Sequence, residues 1–86
     1  MLAVNLDRLM ADLEVFAAIG PDGQGGVTRL AFTETDQAAR RLFQEKLAAA
    51  GLHVRVDAIG NVFGRRSGRD DALPPVLLGS HLDSVP

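Results

Sequence analysis

Imidazoles and carboxylates are the groups through which this 86-residue chain could do acid–base or metal chemistry. It has two histidines, eleven Asp and Glu, and no cysteine. One histidine has a suggestive setting. The segment VLLGSHLDSVP, residues 76–86, runs from apolar and small residues into His81, with Asp83 two positions further on. In extended backbone, alternate side chains share a side, and Cα atoms two apart are separated by about 6–7 Å. At that spacing a carboxylate accepts a hydrogen bond from one imidazole nitrogen. The other nitrogen is then neutral, oriented and available to a metal ion. His81 is therefore a candidate metal ligand and Asp83 the group that orients it. Gly79 and Ser80 are small and leave room for a ligand shell. Taken alone, His-x-Asp is a short pattern, and a strand-end histidine bonded locally, with no ligand, is its simpler reading.

The remaining chemistry-bearing residues are less suggestive. His53 falls on the polar face of an alternating segment and reads as solvated. Asp70 and Asp71 are adjacent in a polar stretch, where carboxylates are usually hydrated rather than convergent on a metal. The glycine-rich PDGQGG, residues 21–26, follows a helix and leads into Val27–Phe32, and it lacks a Gly-Lys-Ser/Thr ending. A phosphate-binding loop needs the opposite context, strand before and helix after. It reads as a mobile surface connection. Arg40, Arg41 and Lys46 are interleaved with Asp36 and Glu45, which describes a solvated helix face rather than an anion-binding patch.

The elements that must position His81 and Asp83 follow from periodicity. Leu6, Leu9, Met10, Leu13, Phe16 and Ala17 recur at helical spacing and predict a helix over Asn5–Ile19, with Asn5 as N-cap and Gly20-Pro21 ending it. Ala38, Ala39, Leu42, Phe43, Leu47 and Ala50 predict a second helix, capped by Thr35 and closed by Gly51. The period then becomes two. Val54 and Val56 alternate with His53, Arg55 and Asp57, Gly60-Asn61 marks a turn, and Val62-Phe63 returns, so 53–66 reads as a β-hairpin. Residues 67–75 form a polar, Pro-terminated loop. VLLGS, residues 76–80, is a continuous apolar run, as in a strand covered on both faces inside an α/β sheet. Sites in such sheets gather at the carboxyl ends of strands, where His81 and Asp83 fall. Two helices and a hairpin are too little to cover both faces of that strand. The expectation is an incomplete α/β domain.

Composition narrows the class further. Apolar residues make up 47% and charged residues 23%, an ordinary globular balance. The net charge of −2 gives no attraction to nucleic acid or an anionic membrane, and four Phe without Trp or Tyr make no base-stacking platform. Asp7, Arg8, Asp12 and Glu14 interrupt what a signal peptide would need as its apolar stretch. The expected setting is soluble and cytoplasmic, with no nucleic-acid or membrane partner.

Three blocks carry a family resemblance: GGVTRLAFTETDQAARRLF (25–43), AGLHVRVDAIGNVFGRRSG (50–68) and PVLLGSHLDSVP (75–86). In this order and spacing, over about residues 20–86, the chain resembles the N-terminal part of the M20 metallopeptidase clan. Within the clan it is most similar to the amidase/hydantoinase–carbamoylase family of N-carbamoyl-L-amino acid hydrolases, allantoate amidohydrolases and β-ureidopropionases. The GSHLDSVP block marks the clan; the other two point to the branch. Where this chain has Ser84 the family often has Thr.

The resemblance implies residues 1–86 as the N-terminal portion of a three-layer α/β metallohydrolase catalytic domain, without its lid and dimerisation domain. It implies hydrolysis of non-peptide C–N bonds in small N-carbamoyl amino acids or ureides such as allantoate. Two divalent ions (zinc, manganese, cobalt or nickel) would activate water and polarise the carbonyl, with a glutamate as general base. His81 would ligate one ion and Asp83 would orient it. The bridging aspartate, the general base and the remaining ligands have no counterpart in these residues, so the isolated chain is expected to be inactive. The full-length enzyme is expected to be a homodimer. Two other readings stay open: a dipeptidase or aminopeptidase of the same clan, and a small non-catalytic binding module.

Overall fold

The computed structural model describes residues 2–86. Its elements are α1 (Leu6–Ala17), α2 (Glu34–Ala49), β1 (His53–Val56) and β2 (Val62–Arg65). The order helix, helix, hairpin is the expected one, and the result is a small α/β arrangement with one two-stranded antiparallel sheet. By proximity the chain divides into two units. One comprises the residues up to Ala39 together with Leu82–Pro86; the other is Arg40–His81.

In the first unit, α1 starts where Asn5, in extended backbone, accepts a hydrogen bond from the Arg8 N–H through Oδ1 at 3.0 Å. This satisfies one of the donors that a helix N-terminus leaves unpaired. The helix ends two residues earlier than expected, because Ile19 donates to Phe16 O rather than continuing the helical ladder. Gly20 then takes φ +85°, and its carbonyl accepts from Thr28 N at 2.9 Å. The loop that follows is exposed, as expected of a surface connection, and is hydrogen-bonded across itself. Pro21 bridges Val27, and Asp22 N donates to Gly26 O at 3.1 Å. The Asp22 carboxylate gathers the N–H groups of Gln24 and Gly26.

The second helix is capped by Thr33, not Thr35. Thr33 Oγ1 accepts from Asp36 N at 3.4 Å, and Thr33 O accepts from Gln37 N at 2.9 Å. Asp36 reaches back from the first turn and accepts the Phe32 N–H at 2.9 Å, a reciprocal arrangement like a capping box displaced by one residue. It holds Phe32 at φ +66°, a region costly for a bulky side chain. Asp36 is buried, as are Ala39 and Arg29. The apolar face of α1 is not: Leu6, Leu9, Met10 and Leu13 are exposed.

In the second unit, α2 closes with a Schellman motif. Gly51 at φ +81° donates to Ala48 O, and Leu52 N donates to Leu47 O at 3.1 Å. The hairpin pairs His53 with Arg65, Val54 with Gly64, Arg55 with Phe63 and Val56 with Val62. Gly64 faces α2 so closely that a Cβ there would lie 2.6 Å from Leu47 Cδ2. Val54, its cross-strand partner, is on that same face. On the other face the Arg55 guanidinium lies 4.4 Å from the centre of the Phe63 ring. Asp57 builds the turn. Its carboxylate accepts from the N–H groups of Ile59 and Asn61 and from the Asn61 side-chain amide.

The buried central strand expected over 76–80 does not form. Among the described residues no segment pairs with it, and Val76 and Leu78 are 91% and 90% exposed. A strand exists only through a neighbour's backbone groups. Each strand of the hairpin keeps one free edge, but neither edge pairs with this run, so it is left without a ladder.

Gly20 should be the least replaceable glycine of the first unit. A Cβ there would meet Thr28 O at 2.6 Å in addition to the positive φ. Gly20→Ala is expected to lose at least about 1–3 kcal/mol in urea unfolding, while Gly68→Ala, with open space around it, stays within about 0.5 kcal/mol.

The Asn61 side-chain amide, helped by backbone N–H groups of Asn61, Ile59 and Gly60, holds the Asp57 carboxyl below the usual carboxylate range. A lowered folded pKa means that Asp57 supports the turn above its unfolded value of about 4. That support is lost as pH falls through the folded value. Chemical shifts of Ile59 and Asn61 amides should therefore move together in an acid titration, and Asp57→Ala should abolish the transition.

Candidate functional site

The residues singled out by chemistry fall near the junction of the two units along the chain. His81 is exposed and is the last residue of the second unit; Asp83 is half-buried and belongs to the first. Neither follows a paired strand. What fixes the backbone at this point is a different contact. Arg29 and Ser84 exchange both backbone hydrogen bonds, each 2.8 Å, in an isolated antiparallel bridge. Ser84 Oγ also donates to Val27 O at 2.9 Å.

Arg29 adds its side chain to the same place. It is 5% exposed. Nη1 donates to Leu82 O at 2.8 Å, Nη2 donates to Phe16 O at 2.6 Å and Ile19 O at 3.0 Å, and Nε donates to Ile19 O at 3.1 Å. All these acceptors are main-chain carbonyls. Phe16 and Ile19 lie at the C-terminal end of α1, where the helix dipole is negative and favours a cation. A buried cation is costly unless its donors are satisfied, and here the carbonyls satisfy them. The sequence-based expectations overlooked Arg29. The available signal was a lone basic residue in the otherwise uncharged stretch Val27–Thr33, with no carboxylate two to four positions away on either side.

The other candidates are accounted for locally. Asp70 Oδ1 accepts from Ala72 N, and Asp71 Oδ1 accepts from Gly68 N at 2.9 Å. The Gly68 N–H and the Ser67 hydroxyl hold the Asp71 carboxyl below its ordinary range. These carboxylates organise their own loop. His53 lies at the start of β1, paired with Arg65.

Among the described residues, no three His, Cys, Asp or Glu side chains are grouped to hold a metal ion. A catalytic metal site takes about three protein ligands plus an open position. The donors of this chain therefore do not by themselves make the two-ion centre that the resemblance implies. No helix among the described residues is long and apolar enough to cross a membrane.

Comparisons with known proteins give consistent relatives. No family model matches the chain. It is 45% identical over 83 residues to an N-carbamoyl-L-amino-acid amidohydrolase of Paenarthrobacter aurescens, covering 96% of this chain and 19% of that protein. It is 38% identical over 69 residues to the allantoate amidohydrolase of Escherichia coli, covering 80% of this chain and 17% of that protein. Its backbone matches the crystal structure of a hydantoinase/carbamoylase family amidase from Burkholderia ambifaria with a TM-score of 0.93 and 46% identity, covering 98% of this chain and 21% of that one. The chain thus spans about one fifth of the length of the curated relatives it matches.

Calorimetric titration of the chain with Zn²⁺ or Mn²⁺ should show no tight stoichiometric binding. One equivalent bound at submicromolar Kd would mean that ligands converge here after all.

Proposed function

We propose, from the premise that this chain is a homologue of the hydantoinase/carbamoylase family amidases, that it is the N-terminal portion of a metal-dependent amidohydrolase acting on a small N-carbamoyl or ureido compound. The observation that carries this reading is the joint match of sequence and backbone. Identity of 45–46% persists over 96–98% of the chain, in proteins about five times as long. A match that extends through loops and both units is not what a shared supersecondary motif produces.

In this reading residues 1–86 are part of a three-layer catalytic domain of the M20 clan. The bare run 76–80 becomes a central strand once further chain pairs with it, and the exposed face of α1 becomes interior. His81 contributes one imidazole to a centre of two divalent ions, zinc, manganese, cobalt or nickel, and Asp83 orients that imidazole. The other donors and the general base come from chain outside these residues. The chain alone is inactive. A homodimeric full-length enzyme and a cytoplasmic location belong to the same proposal, and rest on the resemblance and on the sequence. The differing substrates named for the relatives leave N-carbamoyl amino acids and allantoate as the two substrate classes to assay.

A chimera tests this directly. Residues of this chain replace the matching 83 residues of the Paenarthrobacter aurescens amidohydrolase, and hydrolysis and bound metal are measured. The chimera is expected to retain both. Asp83→Ala within it should cost about 10–100-fold in metal affinity or activity, and His81→Ala more. A folded chimera in which His81→Ala leaves metal content and rate unchanged would remove His81 from the centre.

A further inference from the structure

We propose that Arg29 is a positioning residue for Asp83, setting the direction in which its carboxylate leaves the backbone. The proposal rests on the reading above that Asp83 acts on His81. Two independent sets of bonds converge on the residues flanking Asp83. On one side, the Leu82 carbonyl is held by Arg29 Nη1 at 2.8 Å, a contact 53 residues apart in sequence. On the other, Ser84 is held by the paired backbone bonds with Arg29 and by its own hydroxyl on Val27 O. With the peptide units before and after it pinned, Asp83 has little backbone freedom left.

The anchor for this grip is the end of α1. Nε and Nη2 take the Ile19 carbonyl together, and Nη2 also takes Phe16 O. A residue whose task was only to cap α1 would need no more than these. The Nη1 bond to Leu82 is surplus to capping, and it lands on the residue between His81 and Asp83. The rigid, planar fork matters. A lysine offers a compact charge on a flexible stem and cannot hold three carbonyls in fixed directions. In a site that depends on geometry, a misplacement of about 1 Å can cost on the order of 100-fold.

The test is solution NMR on the complete 86-residue chain, with the Arg29→Lys and Arg29→Ala variants. In the unsubstituted chain the Ser84 amide should exchange slowly. The Arg29 Nη groups should give separate resonances, as in a guanidinium whose rotation is blocked, and Asp83 Hα–Hβ couplings should report one rotamer. In Arg29→Lys, Ser84 exchange should rise by about tenfold or more, and the Asp83 couplings should average. A loss confined to amides at the end of α1, with Ser84 and Asp83 unchanged, would make Arg29 a helix cap and nothing more. If both variants unfold, the guanidinium of the unsubstituted chain decides: freely rotating Nη groups would overturn the proposal. None of these readouts involves metal or hydrolysis. A failed chimera would therefore discard the amidohydrolase reading without touching this geometry, and the converse also holds.

Discussion

The first unit depends on how one buried guanidinium is satisfied. Arg29 brings a full positive charge to a position 5% exposed, where the carbonyls of Phe16, Ile19 and Leu82 accept its hydrogen bonds. Leaving such a group unpaired would cost several kcal/mol. The carbonyls at the end of α1 are unsatisfied for their own reason, since a helix leaves its last acceptors without partners. The two deficits cancel. The segment that contains Asp83 is drawn in because Leu82 supplies the remaining acceptor. Much else in this unit follows from that placement. Gly20 must take a positive φ with no Cβ so that Thr28 can pair with it, and that pairing brings Arg29 to the end of α1.

The second unit relies more heavily on a device that Asp22 uses once in the first. Its turns are built on carboxylates, Asp57 in the hairpin and Asp70 and Asp71 in the following loop. Each short acid collects the N–H groups of residues two to four positions away, which is the ordinary advantage of Asp in turns. The hairpin meets α2 where Gly64 leaves space for Leu47. There is little interior on either count: Ala39 is the only fully buried apolar residue among those described. Polar bonds with defined geometry, rather than a large apolar core, give this chain its local shape.

Helices and hairpin were legible because each is announced by local chemistry: periodicity, Asn5 as a cap, Gly51 as a terminator, Gly60-Asn61 as a turn. The cap of α2 was misplaced because Thr33 and Thr35 are equivalent by type, and the choice between them is made by Asp36 folding back to Phe32. The run over 76–80 is unpaired among the described residues for a deeper reason. Composition tells what a strand would be covered by, but pairing depends on a neighbour. The interest of His81 and Asp83 was visible in their spacing. Arg29 was not, because a residue that acts through bonds to distant carbonyls leaves no periodic trace.

The acceptors chosen by Arg29 carry one more consequence. A guanidinium keeps its proton throughout the range in which proteins survive, and amide oxygens have none to gain there. Being buried, the contact is also poorly reached by mobile ions, which weaken exposed pairs far more. This clasp is therefore built on carbonyl acceptors and shielded from salt, in contrast to the exposed carboxylate-built turns. Through Arg29, Leu82 is tied to the end of α1, and Ser84 is tied to Arg29 and Val27.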